Sequence, residues 1–146
     1  MAIQTFAGSS IAIATTSGVA TYDSAGFGAK TYLIVGEVTN VGDFGKTFNV
    51  IKHNPINTRY TKKLKGSYDN GTQSVDYAYD GSNAGQTQLT AALGSDASWA
   101  IKLTLQDGTI FYYTVQVTAA PFKTGSVDSI VMGSATFEID SDIVTV

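Results

Sequence analysis

His53 is the only histidine of the chain. A single imidazole can act as base or ligand only with partners at hand, and none stands at a recognisable spacing. Followed by Asn54-Pro55, it reads as a surface or interface residue. Gly45-Lys46-Thr47 has the ending of a phosphate-binding loop, where backbone amides and a lysine hold phosphates. That pattern needs a glycine five residues before Gly45, where Asn40 stands, and no helical pattern follows. Asp80-Gly81-Ser82-Asn83-Ala84-Gly85 has the glycine of a calcium loop at its sixth place. Ala84 and Ala91 fill the fifth and twelfth, where oxygen ligands are required, so a turn followed by a helix cap fits better. Asp76, Asp80, Glu138 and Asp140 could supply a hydrolytic carboxylate pair, but each falls in a polar strand stripe or a turn. Asn70-Gly71-Thr72 has the pattern of a glycosylation acceptor and reads as a turn. Trp99 with eight Tyr and seven Phe could build a sugar platform. Trp99, however, is in phase with Ile101 and Leu103, which places it in a core. No catalytic residue, metal site or cofactor is expected.

The elements that carry these residues belong to one domain's length, 146 residues, with 43% hydrophobic content. Only 14% of residues are charged, against about 25% in ordinary usage. Gly, Ser, Thr, Tyr and Val take their place, a β-rich composition, and so uncharged a surface suggests that much of it is covered in an oligomer. The net charge of −3 excludes a basic nucleic-acid footprint for the chain as a whole. With no cysteine there is no disulfide framework, thiolate zinc site or thiol nucleophile. The first basic residue is Lys30, so no signal peptide is expected, and no apolar run is long enough to span a membrane.

Residues 1–30 hold two charges, Asp23 and Lys30, and one short alternating piece, Ile11 to Ala14. They read as an extended arm that packs on the body or on a neighbouring subunit. Residues 31–146 read as a single domain. A strand spans 31–39, with Leu33, Ile34 and Val35 covered on both faces, and a long loop with a short extended piece, Thr47 to Lys52, follows over 40–57. The Asn70-Gly71 pair predicts a type I′ hairpin with Leu64 opposite Tyr77 and Lys65 opposite Asp76. Asn83 and Gln86 have capping-box spacing and open a helix over about 84–93. It would bury Leu89, Ala92 and Leu93 and end with Gly94 in the left-handed conformation. A second hairpin takes a three-residue loop, Gln106-Asp107-Gly108, because only that loop pairs Leu103 with Phe111 and aligns the two apolar stripes. In the last strand, over 127–140, Val131, Ala135, Phe137 and Ile139 share one face, and Ser134, Thr136, Glu138 and Asp140 the other. The sum is a mainly β fold, a β-sandwich or barrel with one short flanking α-helix, an extended N-terminal arm and a long loop.

Residues 62–93 resemble the tail tube (major tail) proteins of long-tailed bacteriophages. The resemblance is carried by Lys65-Gly66, Asn70-Gly71-Thr72 and Tyr79-Asp80, which lead through Asn83-Ala84-Gly85-Gln86 into a short Ala/Leu helix. Leu105-Gln106-Asp107-Gly108-Thr109 and Gly125-Ser126-Val127-Asp128 extend it to about residue 140. It implies a structural virion protein, assembled in the host cytoplasm and resident in the tail. Its hexameric rings would stack into a hollow tube through which DNA passes. It also implies self-association and tape-measure, tail-terminator and tail-tip partners, with DNA in transit without specific binding and no membrane. On that basis the polar stripes offer Lys65, Asp76, Glu138 and Asp140 as lumen-facing candidates. Ile11 and Ile13 in the arm, with Asp43, Phe44, Lys46 and His53 in the long loop, are candidate inter-ring contacts. Another β-rich virion or fibre component, and a carbohydrate-binding module, are the competing readings.

Overall fold

The computed structural model describes residues 3–146. In chain order the elements are β1 (Ser10–Ser17), α1 (Ser24–Gly28), β2 (Tyr32–Ile34), β3 (Val38–Val41), β4 (Thr47–His53), β5 (Lys62–Asp69) and β6 (Thr72–Ala78). Then follow α2 (Ala84–Leu93), β7 (Trp99–Thr104), β8 (Ile110–Ala119), β9 (Phe122–Lys123), β10 (Met132–Ile139) and β11 (Val144–Thr145). The fold is mainly β, as expected, with two helices rather than one.

Nine strands form one antiparallel sheet whose main path runs β2-β1-β7-β8-β10-β6-β3. Its two edge strands are consecutive in sequence. Only Val35, Gly36 and Glu37 separate β2 from β3, a link that reaches at most about 15 Å. A flat sheet of seven strands would be about 29 Å across. The sheet must therefore curl until its edges nearly meet, which makes it barrel-like. The same argument explains why the single strand expected over 31–39 is two: the chain leaves one edge and joins the other.

The concave interior holds the core. Ile11, Ile13, Val75, Tyr77, Ile101, Leu103, Tyr113, Val115, Phe137 and Ile139 fill it, and α2 closes it with Leu89 and Ala92. A second cluster covers the outer face of β1, β7 and β8, where Ala14, Ala100 and Tyr112 pack against Phe27 of α1. The Phe27 and Tyr112 rings stack 5.4 Å apart. Burial on both faces explains the run Ile11-Ala12-Ile13-Ala14 and corrects the expected arm. Residues 10–17 form an interior strand, paired with β2 on one side and β7 on the other. Ile11 and Ile13 are 2% and 0% exposed inside the domain, so they are not inter-ring contacts. By contrast Ile34, expected to be covered, is exposed, because β2 is an edge.

The second hairpin has the expected register, Leu103 with Phe111. Gly108 takes a φ of +93° in the three-residue loop, where an L side chain would be strained. The first hairpin differs. β5 does not pair with β6; it pairs with β4, and β6 pairs with β3 and β10. The partner of β5 is the extended piece expected inside the loop at Thr47 to Lys52, which forms β4. Val41 pairs with Val75 and Thr47 with Asp69, one continuous register. Between them Gly42 N–H donates to Ser74 O (2.6 Å) and Gly45 N–H to Asn70 O (3.3 Å). β3-β4 and β5-β6 are thus one long, bent hairpin whose tip is near residues 54–61. Asn70-Gly71 is the bend in its return strand. Gly71 has a φ of +85° while Asn70 does not enter the left-handed region, so a type I′ turn is excluded. Buried Asn70 instead donates through Nδ2 to Ser141 O (2.7 Å), pinning the bend to the segment after β10.

The expected helix forms, and the Asn83 side chain accepts from Gln86 N–H as its N-cap. Two details differ. Gln86 does not return the bond to Asn83; its side chain reaches Ala78 of β6, Gly36 between β2 and β3, and Asp80 in the preceding turn. Gly94 ends the helix with φ −77° rather than left-handed, and Leu93 faces solvent while Leu89 and Ala92 are buried.

Candidate functional site

The distal half of the long hairpin, β4 and β5, stands off the body as a two-stranded arm. Every residue of β4 and all of β5 except Gly66 are exposed. A lone two-stranded ribbon is marginal in water, and this one shows large apolar side chains on both faces. Ile51 and Leu64 sit opposite each other on one face, 54% and 65% exposed; Val50 and Phe48 lie on the other. Leu64, expected in the core opposite Tyr77, is therefore at the centre of an exposed arm. Gly66 is small because Ile51 lies across it: an added Cβ would sit 3.1 Å from the Ile51 side chain.

Lysines interleave with these apolar groups. Lys65 Nζ lies 4.9 Å from the Phe48 ring centre and Lys46 Nζ 4.2 Å from that of Tyr68, cation–π distances. Lys46 also reaches Asp142 at 3.6 Å. His53 is exposed opposite Lys62, and Lys52 stands opposite Lys63. From Lys46 to Tyr68 the chain has six of its nine Lys and Arg residues and no carboxylate. That segregation was readable in the run Arg59 to Lys65, and Lys52, Arg59, Lys62 and Lys63 were missed as candidates because the arm was paired with the wrong strand.

The sequence-derived lumen candidates separate into two groups. Asp76 and Lys65 are not cross-strand partners: Lys65 pairs with Val50 in the arm, and Asp76 pairs with Ser134 and Asn40 in the body. Asp76 and Glu138 do share the outer face of β6 and β10, as the alternation requires. Thr72 Oγ1 donates to Glu138 Oε2 at 2.8 Å. Asp140, just past β10, accepts from the hydroxyls of Thr114 and Ser98. Thr72, Ser74, Asp76, Ser134, Thr136 and Glu138 make this a face of hydroxyls and carboxylates, with no Lys or Arg in either strand. Of the loop candidates, Asp43, Lys46 and His53 are exposed. Phe44 packs inward, 5.4 Å from the ring centres of Phe111 and Tyr113, and is not a free contact.

α2 is locked to the sheet by polar groups. Gln86 Nε2 donates to Gly36 O and Ala78 O, both at 2.9 Å, and its Oε1 accepts from Asp80 N–H at 2.9 Å. Asn83 Oδ1 also accepts from Gly36 N–H at 3.2 Å. These bonds join the helix to the link between the two edge strands, through Gly36, and to the end of β6, through Ala78. The turn before it is fixed by Ser82, whose hydroxyl and N–H hold the Asp80 carboxyl below the usual carboxylate range. In the core, Tyr113 donates to Gln73 Oε1 (2.6 Å), and burial pushes its phenol well above the ordinary value. Among the described residues no three His, Cys, Asp or Glu side chains gather into a metal site, and no helix is long and apolar enough to cross a membrane.

No protein-family model matches the chain, and no curated protein does. Solved structures do. A chain of the anti-feeding prophage baseplate superposes with a TM-score of 0.69 at 8% identity, covering 100% of this chain and 97% of that one. A chain from the sheath/tube terminator structure of an extracellular contractile injection system gives 0.68 at 8% identity, covering 100% and 98%. A chain of the native gene transfer agent virion gives 0.63 at 8%, covering 79% and 88%. The protein therefore has the fold found in chains of phage-like tails and contractile injection particles.

Proposed function

We propose that this chain is a structural tail protein whose copies close into hexameric rings, and that the rings stack into a hollow tube. The observation that carries this reading is the full-length match of fold to chains of such particles. The anti-feeding prophage baseplate has sixfold symmetry, and so does the tail of the empty gene transfer agent particle, another assembly with a chain of this fold. The chain's own features agree with it. Two open sheet edges, β2 and β3, and an arm of exposed apolar residues are hazards for a free monomer. They become assets where a neighbour covers them. Ring closure combined with axial head-to-tail stacking makes an open filament from one chain.

In that assembly the outer face of β6 and β10 is the candidate lumen wall. Its Asp76, Glu138 and neighbouring hydroxyls offer no cation to a passing phosphate, so DNA would slide without being gripped. Tape-measure, terminator and tip proteins are the partners expected at the ends of the tube, and the virion tail is the expected location. The role is structural and involves no catalytic residue.

Sedimentation velocity of the whole chain over a range of concentrations tests this. Six chains of 15.3 kDa predict a ring of about 92 kDa and larger multiples of it. A 15.3 kDa monomer at every concentration would contradict the proposal.

A further inference from the structure

We infer that the β4-β5 arm is an electrostatic clasp that docks on the acidic body of a second copy of this chain. The inference rests on the self-assembly reading above and adds to it the surface and the force.

Charge is divided between arm and body. Residues 46–68 hold six Lys and Arg and no carboxylate, a formal +6. The remaining three bases face all twelve carboxylates, which leaves the rest of the chain at −9. Within one copy these charges do not meet. Lys46–Asp142 is the one ion pair among the described residues, so Lys52, Arg59, Lys62 and Lys63 have no carboxylate partner there. The register makes matters worse for the isolated arm. Lys52 is directly opposite Lys63; like charges in cross-strand positions destabilise a ribbon. An arm that is basic, apolar and unsupported is poorly built for water and well built for an acidic surface with apolar spots. The same chain supplies that surface. Docking an arm on a different patch of the next copy is a heterologous contact, the kind that propagates.

The lysine and aromatic interleaving could also suit a nucleic acid. The copy is favoured because the complementary charge is already present in the chain, and in larger amount.

The test compares wild type with K52Q/K62Q/K63Q, using full chains. Sedimentation velocity is run from about 0.05 M to about 0.5 M NaCl, which shortens the screening length from ~14 to ~4 Å. Urea unfolding of both proteins serves as the folding control. The expected result has three parts. Wild type needs about tenfold more protein to assemble at the higher salt. The variant needs about tenfold more already at low salt, with little further salt response. Its unfolding midpoint, read on dilute protein at the higher salt where neither assembles, is no lower than that of wild type. Should the variant assemble like wild type with the same salt dependence, the clasp is wrong while self-assembly stands. Should wild type never assemble, both are wrong. A labelled DNA duplex bound by wild type and lost in the variant, with assembly unaffected, would reassign the arm to nucleic acid and overturn the clasp.

Discussion

Gln86→Leu should be among the most damaging single changes, although it replaces a polar side chain with an apolar one of similar volume in a buried place. Gln86 is 3% exposed. Its amide satisfies three main-chain groups, Gly36 O, Ala78 O and Asp80 N–H. Leucine satisfies none. An abandoned buried polar group costs about 1–3 kcal/mol. Gly36, Ala78 and Asp80 are only half-buried, so the low end applies to each, and the total is about 3 kcal/mol. For a chain of this size that lowers the melting temperature by about 10 °C and the urea midpoint by about 1.5 M. Gln88→Leu is the comparison, since Gln88 makes one such bond, to Ala14 O at 3.2 Å, and should cost about 1 kcal/mol. Gln86→Glu separates donors from acceptor. It keeps the bond from Asp80 N–H but aims a carboxylate at two carbonyls, so it should be as damaging as leucine near neutral pH. It should recover part of the loss below about pH 5, where a protonated carboxyl can donate again. Equal urea midpoints for Gln86→Leu and Gln88→Leu would refute the claim that this amide locks the helix to the β2–β3 link and the end of β6.

Further changes test other parts of the fold. Gly85→Ala puts a Cβ 2.2 Å from the Ile34 carbonyl oxygen, so it should cost about 2 kcal/mol or more by urea unfolding. Gly94→Ala, whose nearest neighbour would be 3.6 Å away, should be close to neutral. Ile13→Ala should cost about 2–5 kcal/mol as a core truncation, while Ile51→Ala in the arm should change monomer stability by less than about 0.5 kcal/mol yet weaken assembly in sedimentation. Stability should also fall on the alkaline side. Burial raises the Tyr32, Tyr77 and Tyr113 phenols, so both states are neutral and stability is full below about pH 10. Above that the unfolded chain ionises first and stability is lost as pH climbs; a urea midpoint constant from about pH 8 to 11 would contradict it.

Local chemistry was legible in the sequence wherever one short segment determines it. The Asn83 cap, the Gly108 loop and the alternation of Ala135, Phe137 and Ile139 needed no knowledge of distant partners. The pairing of the long hairpin was not legible, because Asn70-Gly71 is a strong turn signal and Gly42 and Gly45 separate the extended piece at Thr47 to Lys52 from the strand before it. A bend and a turn demand the same small residues; only the pinning of Asn70 to Ser141 decides between them. The strand at Ile11–Ala14 was misread for a related reason. Its alternate Ala residues look weakly apolar until Phe27 covers them from the other face. The charge of the arm was visible as a carboxylate-free run, but its meaning depended on knowing that the run leaves the body.

The central claim is that copies of this chain build a hollow tube. Cryo-electron microscopy of the concentrated full chain tests it most directly. The account predicts long tubes of stacked sixfold rings, with Asp76 and Glu138 lining the channel and each arm lying on a neighbouring copy. Isolated monomers or compact closed particles at high concentration and low salt would contradict it.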